Sequence, residues 1–434
     1  QMKAFFISAS VSILTLISLT AVAVAQSDVP DGGVPQANDG INDALVVGNR
    51  CYVAGAFTNF GGVPRTGLAA FDIITGQVDM AWNPSPGGPT TFGTPLILGL
   101  ESDGTWLYFT GDFTTVNGSV TRNRLAAVEL ANGSNTGLVE PTWDPNLDFF
   151  GVDLAKDGSK LYVLGGFSSV NGSTPRHGLA AFNLADGVDT GVADVWDPNL
   201  TSSGIFGVNA IEISGGVIYI GGFFNAANGT PRNGLVALEP ANGSNTGAAD
   251  PNWDPDITWP GGTFSGFASI NELEVSGSLL CVGGQFDTVN GSVTRDNLAA
   301  FDLAGGVATG EVDAAWDPDV GDPALGDFAS ALTITNSQVF VGGSFSQAGG
   351  STRNNAAAFN LPDGGSAAAL QSWDPNVMIG GGIIFGPGIG VLTPSGASGL
   401  WMGGTFTQIG GIPITHFAGF SSTVPVELSV FAHD

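Results

Sequence analysis

The sequence predicts an all-β protein, a seven-bladed β-propeller of four-stranded antiparallel blades, and three observations predict it. One core, aromatic-x-x-Gly-x-Phe, occurs seven times, opening at Tyr52, Tyr108, Tyr162, Tyr219, Cys281, Phe340 and Trp401. Its closing residues, Phe57, Phe113, Phe167, Phe224, Phe286, Phe345 and Phe406, set a period of 54 to 62 residues. Each copy also holds four short runs of β-branched and aromatic residues bounded by Asn-Gly and Gly-Gly, which is hairpin chemistry. In the fourth copy these runs are 208–213, 217–220, 234–238 and the stretch around Trp253. No window of helical length carries an apolar period of 3.6 residues.

Four strands in about 57 residues is the size of a propeller blade, whereas the coils of a parallel β-helix are much shorter. Ring closure also removes the open sheet edges that an unclosed array would expose. The expected organisation is a leader over 1–25, a loop or closing segment over 26–40, the propeller over 41–423 and a tail over 424–434. The seventh copy keeps Gly404-Thr405-Phe406 but has no Trp-Asp-Pro, so its outer strand must come from elsewhere. Residues 26–40 and residues 424–430 are the two alternatives.

Charge and the N-terminus bound the partners and the compartment. Against 39 acidic residues the chain has 11 basic ones, a net charge of -28, so it repels nucleic-acid phosphates and anionic lipid. Six of its eight arginines occupy one repeat position, which leaves no basic patch and excludes nucleic acid as a partner. Met2-Lys3, an apolar run over 4–25 and Ala23-Val24-Ala25 before Gln26 form a secretory signal pattern. The alternative is a transmembrane anchor; the cleavage site favours export, to the cell surface or beyond, with no transmembrane segment in the mature chain. Cys51 and Cys281 lie in predicted strands of the first and fifth copies, which are not neighbours in a seven-unit ring. Two buried free thiols are expected rather than a disulfide.

Several polar and small residues recur with the repeat. Gly55, Gly111, Gly165, Gly222, Gly284, Gly343 and Gly404 stand two before each Phe, where the next blade is expected to approach closely. Arg65, Arg122, Arg176, Arg232, Arg295 and Arg353 recur before the third strand, and the seventh copy has Ile414 there. Trp143, Trp196, Trp253, Trp316 and Trp373 precede Asp144, Asp197, Asp254, Asp317 and Asp374, each followed by Pro; Trp82 precedes Asn83-Pro84. Arginine and Trp-Asp/Asn-Pro are missing from the same copy, so each Arg is expected to bond the Asp or stack on the Trp.

By these residues the chain resembles the secreted bacterial delta-60-type repeat propellers, and more loosely kelch propellers, over roughly residues 41–420. The resemblance implies the fold and little about activity, because propellers host both enzymes and binding modules. The run Val424-Pro425-Val426-Glu427-Leu428 resembles the junction before C-terminal sorting domains of type IX secretion substrates; its other reading is the outer strand of the last blade.

Catalysis needs a constellation outside the repeat, and none is legible. His177, His416 and His433 make no metal-ligand spacing, and no Ser-His-Asp or Cys-His set is present. Ser102-Asp103-Gly104-Thr105-Trp106 resembles a sialidase Asp-box but aligns with Lys156-Asp157-Gly158-Ser159 as a turn between strands. The Asp-rich loops at Asp254-Pro255-Asp256, Asp317-Pro318-Asp319 and Asp186-Gly187-Val188-Asp189 offer oxygens suited to Ca²⁺ in no established loop spacing. They read first as solvated turns, so no cofactor is expected and Ca²⁺ is the alternative. Paired carboxylates for glycoside hydrolysis are not singled out among the acids. Asn-Gly-Ser/Thr sequons at Asn117, Asn132, Asn171, Asn228, Asn242 and Asn290 read as turns that recur with the repeat.

Recognition is expected where the repeat is broken, over 85–95, 257–269 and 378–393. Trp259 lies in one of these loops and is the candidate ligand contact, by stacking on a sugar or anchoring a partner. The function these readings favour is a non-enzymatic extracellular binding or structural module, with protein or carbohydrate as partner. One alternative is an extracellular enzyme acting on polysaccharide at the channel mouth. The other is self-association into a surface material.

Overall fold

A computed structural model describes residues 25–202, 207–260, 266–305, 309–335, 337–379, 388–395 and 399–423. Most of the leader and the tail over 424–434 lie outside the described residues. Apart from a 3-10 turn at Pro323–Leu325, the regular structure is entirely strands. Seven of the sheets share one design, an antiparallel meander of inner, middle and outer strands. The first unit is Ile41–Val47, Arg50–Gly55 and Leu68–Asp72. The others begin at the inner strands Leu96–Ser102, Gly151–Asp157, Gly207–Ser214, Ser269–Ser276, Phe328–Thr335 and Ile389–Pro394.

The meanders follow from local chemistry. Middle strands such as Lys160–Gly165 and Val217–Phe223 are almost continuously apolar because both faces of each sheet are covered. Tight glycine turns separate inner from middle strands, with Gly215 and Gly216 both at positive φ. After each middle strand comes a two-residue hairpin. Its Asn-Gly corner places Asn117, Asn171, Asn228 and Asn290 at φ between 44° and 49°. These four sequon asparagines turn their amides inward, as in the bond from Asn171 Nδ2 to Gly191 O at 2.8 Å.

The core is divided between units rather than held inside each one. Tyr52 and Trp82 of the first unit pack with Ile97, Leu107 and Phe109 of the second, and five similar clusters join the units that follow. A last cluster brings Trp401 and Phe417 of the seventh unit onto Ile41, Phe60 and Phe71 of the first. Inner strands likewise touch in chain order, and Ile389–Pro394 returns to Ile41–Val47. The result is a propeller-like all-β repeat.

Three expectations are refined. The fourth strand of each of the first six units is reduced to one bridged pair, such as Leu238 with Ala249 or Phe301 with Val312. Asp and Asn side chains capture the neighbouring amides there, and the prolines of Trp-Asp-Pro have none to give, so no ladder extends. Trp253 itself lies beyond the bridge. The glycines two before each Phe do not face the next unit. A Cβ on Gly55 would meet Gly40 O at 2.1 Å, and one on Gly343 would meet Phe328 O at 2.2 Å, both on their own inner strand beside its bulge. The preceding glycine makes the contact between units: Gly221 faces Ile270, Gly342 faces Ile389 and Gly403 faces Ile41.

Residues 25–31 lie along the seventh unit. Ala25–Gln26 pairs with Ser422–Thr423. Asp31 N–H donates to Gly419 O at 2.7 Å, matching the bond from Asp79 to Ala70 O in the first unit. Cys51 and Cys281 are buried free thiols.

Candidate functional site

Most repeated polar groups hold the units together. Each Trp of the Trp-Asp/Asn-Pro element donates its indole N–H to a carbonyl of the following unit, from Trp82 to Glu129 O at 2.7 Å through Trp316 to Asn360 O at 2.9 Å. The sixth, Trp373, reaches Ser27 O at 3.0 Å, because residues 25–31 occupy the corresponding place on the seventh unit. Trp143, Trp196 and Trp253 do the same to Asn183, Glu239 and Asp302. Four tyrosine hydroxyls accept an amide of the next unit, as Tyr162 does from Ala241 at 2.9 Å.

The arginines bond mainly to backbone carbonyls of their own unit. Arg65 donates to Asp79 O and Met80 O at 2.9 and 3.0 Å, and Arg122 to Glu140 O at 2.7 Å. Arg176 reaches Asp194 O. The expected Arg–Asp pairing forms alongside in three repeats: Arg232–Asp254, Arg295–Asp317 and Arg353–Asp374, at 3.4 to 3.5 Å. Asp197 instead meets His177 at 3.3 Å. Burial raises the Asp144 carboxyl, and the nearby Arg122 opposes the shift.

What the repeat leaves unexplained lies along the inner strands. Every inner strand carries a bulge near its start, and the positions at and after it line a cavity of about 320 Å³. Asp43, Asp153, Glu272 and Glu274 line it, with Asn42, Asn209, Asn271, Ser330, Thr333 and Thr393. Strand register puts Asp43, Asp153 and Glu272 at equivalent positions, and Glu101, Glu212 and Glu274 two residues further along. Two tiers of three acids result, about 7 Å apart at 3.3 Å per strand residue.

Many of these groups tie neighbouring inner strands. Asn42, Asn209 and Asn271 donate to Ile97 O, Ile270 O and Ala329 O at 2.9 to 3.0 Å, and Ser330 Oγ donates to Ile389 O at 2.7 Å. Asp43 accepts from Leu100 N at 2.6 Å and Asp153 from Ile211 N at 3.1 Å. Glu101 and Glu274 accept the amides of Lys156 and Ile334. Glu272 accepts only its neighbour Leu273 N, at 3.3 Å. Burial is the main cause that pushes these acids up, with repulsion between them added for most. Asp43 and Glu212 rise to about 8, Asp153 and Glu274 to about 7, and Glu272 well above the usual range. Among the described residues Lys156 is the base that acts on the group, and it lowers Glu101.

The residues singled out from sequence lie elsewhere. Trp259 is only 8% exposed, in a short strand pairing with Gly266–Phe267 and Thr288, and its Nε1 has no hydrogen-bond partner among the described residues. Asp103 closes a turn, accepting from Thr105 N and Trp106 N and from the Tyr108 hydroxyl. His416 holds Gly404 O with Nδ1, and His433 lies outside the described residues. Among the described residues no three His, Cys, Asp or Glu side chains converge closely enough to hold one metal ion, and no helix is long and apolar enough to cross a membrane. The cavity acids escaped sequence reading because they occupy equivalent strand positions in only some repeats. Aligning the seven inner strands on their bulges is the signal that finds them.

No family model and no curated protein matches the chain. Solved structures do. U3-55K is similar at a TM-score of 0.51 and 11% identity, over 90% of this chain and 99% of that one. The WD40 beta propeller domain of Doa1 has a TM-score of 0.45 at 9% identity, over 93% and 97% of the two chains. The computationally designed Ika8 protein has a TM-score of 0.45 at 10% identity, over 88% and 96%.

Proposed function

We propose that the chain is a closed seven-bladed β-propeller, exported from the cell, that acts as a non-enzymatic binding module through its axial channel. Seven equivalent meanders, seven shared cores and the return of the seventh inner strand to the first support the closed ring. One observation carries the functional reading. Repeated polar side chains are occupied in bonds within units and between them, while unrepeated acids concentrate on the inner strands around one polar cavity. Polar groups that converge in a cavity without a structural need are the mark of a binding site. Export rests on the leader-like N-terminus.

The enzyme reading keeps one observation in its favour, since carboxyls raised to near 7 in a cavity are what general acid catalysis uses. Against it, among the described residues no aromatic or histidine side chain lines the cavity to position a sugar ring or relay a proton. The test is incubation with panels of soluble glycans, insoluble polysaccharides and peptides, following both retention and product release. Retention without product is the expected result. Product formation abolished by Glu274→Gln would overturn the non-enzyme reading.

A further inference from the structure

We propose that the axial cavity is a site for a linear organic di- or polycation, its ammonium groups bridging the two carboxylate tiers. The inference rests on the binding-module reading above and names its ligand class.

Part of the charge in the cavity, that of Glu272 above all, is surplus to its structural work. Asn42, Asn209, Asn271 and Ser330 tie neighbouring inner strands with neutral side chains. Asp43 and Asp153 each spend one oxygen on the following amide and the other on the neighbouring strand, at Ala44 and Leu100 and at Leu154 and Ile211. Carboxylates crowded into a partly desolvated space destabilise one another, and Glu272 has no bond across to a neighbouring strand to set against that cost. A cationic ligand removes the penalty and gains charge-assisted hydrogen bonds.

A second observation points the same way. Thr333 lines the cavity, is only 3% exposed, and its hydroxyl bonds to no described group. Such a group wants a donor or acceptor supplied from within the cavity.

Shape selects the class. No three acids converge on one metal-sized point among the described residues, so the charges suit a ligand that is itself extended. Glu272 and Glu274, two residues apart on one strand, set a spacing of about 7 Å along the channel. A diaminoalkane or a polyamine matches that spacing, and the ammonium group is a compact donor of three hydrogen bonds.

The experiment is calorimetric titration of the folded chain with spermidine and with putrescine at pH 8, where Asp153 and Glu274 are largely charged. Calcium chloride and a monoamine of equal chain length serve as controls. The expected result is saturable binding of the polyamines that exceeds the monoamine and weakens about tenfold or more in the Glu272→Gln, Glu274→Gln double variant. Neutralising these acids relieves repulsion, so the double variant is expected to fold, and its melting temperature without ligand checks that. The exposed pair Asp186→Asn, Asp363→Asn removes equal charge outside the cavity and should leave binding unchanged. Absent binding, binding equal in all three proteins, or tighter binding of calcium than of spermidine would each overturn the proposal. A glycan or peptide retained in the panel while spermidine fails would overturn this ligand and leave the binding-module reading standing.

Discussion

The first four units and the last three are joined differently. Tyr52, Tyr108, Tyr162 and Tyr219 each accept an amide of the following unit, at Ala131, Ala185, Ala241 and Ala304. Cys281, Phe340 and Trp401 stand at that position later on and make no such bond. Closer approach begins in the fourth unit, alongside its tyrosine, and continues alone in the later ones: Gly221, Gly283, Gly342 and Gly403 meet the next unit where the first three carry Ala54, Thr110 and Leu164. The seventh-to-first junction has the glycine contact, Gly403 on Ile41, but no tyrosine latch. It relies on rings, with Trp401 stacked on Phe417 at 5.6 Å and Phe71 edge-on to both. A repeat can therefore keep its backbone geometry while exchanging polar latches for apolar contact at successive junctions.

The largest expected effect comes from removing a latch that is also core. Trp253 is fully buried, edge-on to Tyr219 at 5.3 Å, and bonded to Asp302 O. Trp253→Ala should lose about 4 kcal/mol in chemical denaturation, as large-to-small core changes do. A loss under about 1 kcal/mol would mean that the junction is held by backbone contact alone. Gly342→Ala probes the other mode. Its new methyl would meet Ile389 Cγ2 at 2.5 Å, so a loss of about 1–3 kcal/mol is expected from overpacking. If the alanine is neutral, close approach does not replace the tyrosine latch.

Tyr162→Phe removes one hydroxyl and strands the Ala241 amide; about 1–2 kcal/mol should be lost, measured against the wild type in the same denaturant. The smallest effect at any single residue is electrostatic and reports on the channel. Asp43, Asp153, Glu212 and Glu274 hold their protons to about 7 or 8 in the fold but release them near pH 4 when unfolded. The native chain thus carries extra protons between about pH 4 and 8, and its stability should fall as pH rises through that window. The melting temperature should be higher at pH 5 than at pH 8, and Glu272→Gln should flatten the difference. A profile that rises toward pH 8 would show that water and counter-ions in the channel cancel the repulsion.

The units were legible in sequence because tight turns and buried aromatics admit few substitutes. Gly-x-Phe and Trp-Asp-Pro therefore repeat openly. Roles within the repeat were less so. Two adjacent glycines look alike in sequence, yet Gly343 faces its own bulge and Gly342 the next unit, a distinction set by strand pleat. The arginines were placed beside Trp-Asp-Pro, but carbonyl partners such as Asp79 O leave no trace in residue identity. The channel acids were hidden for a related reason: Glu272 and Glu274 alternate with apolar Leu273 as in any half-buried strand, and only register brings them level with Asp43 and Glu101.

The pairing of residues 25–31 with the seventh unit bears on the order of folding. Ser421 bonds Asp31 across 390 residues of chain, so the earlier-made segment waits for the later one. During synthesis the growing array holds an unpaired edge at its leading face until that contact forms. Entropy of closure rises only slowly with loop length, but a contact this non-local must be found late. Pairing of these two segments is then the slow step, and until it occurs the array could pair with a second chain instead of with itself.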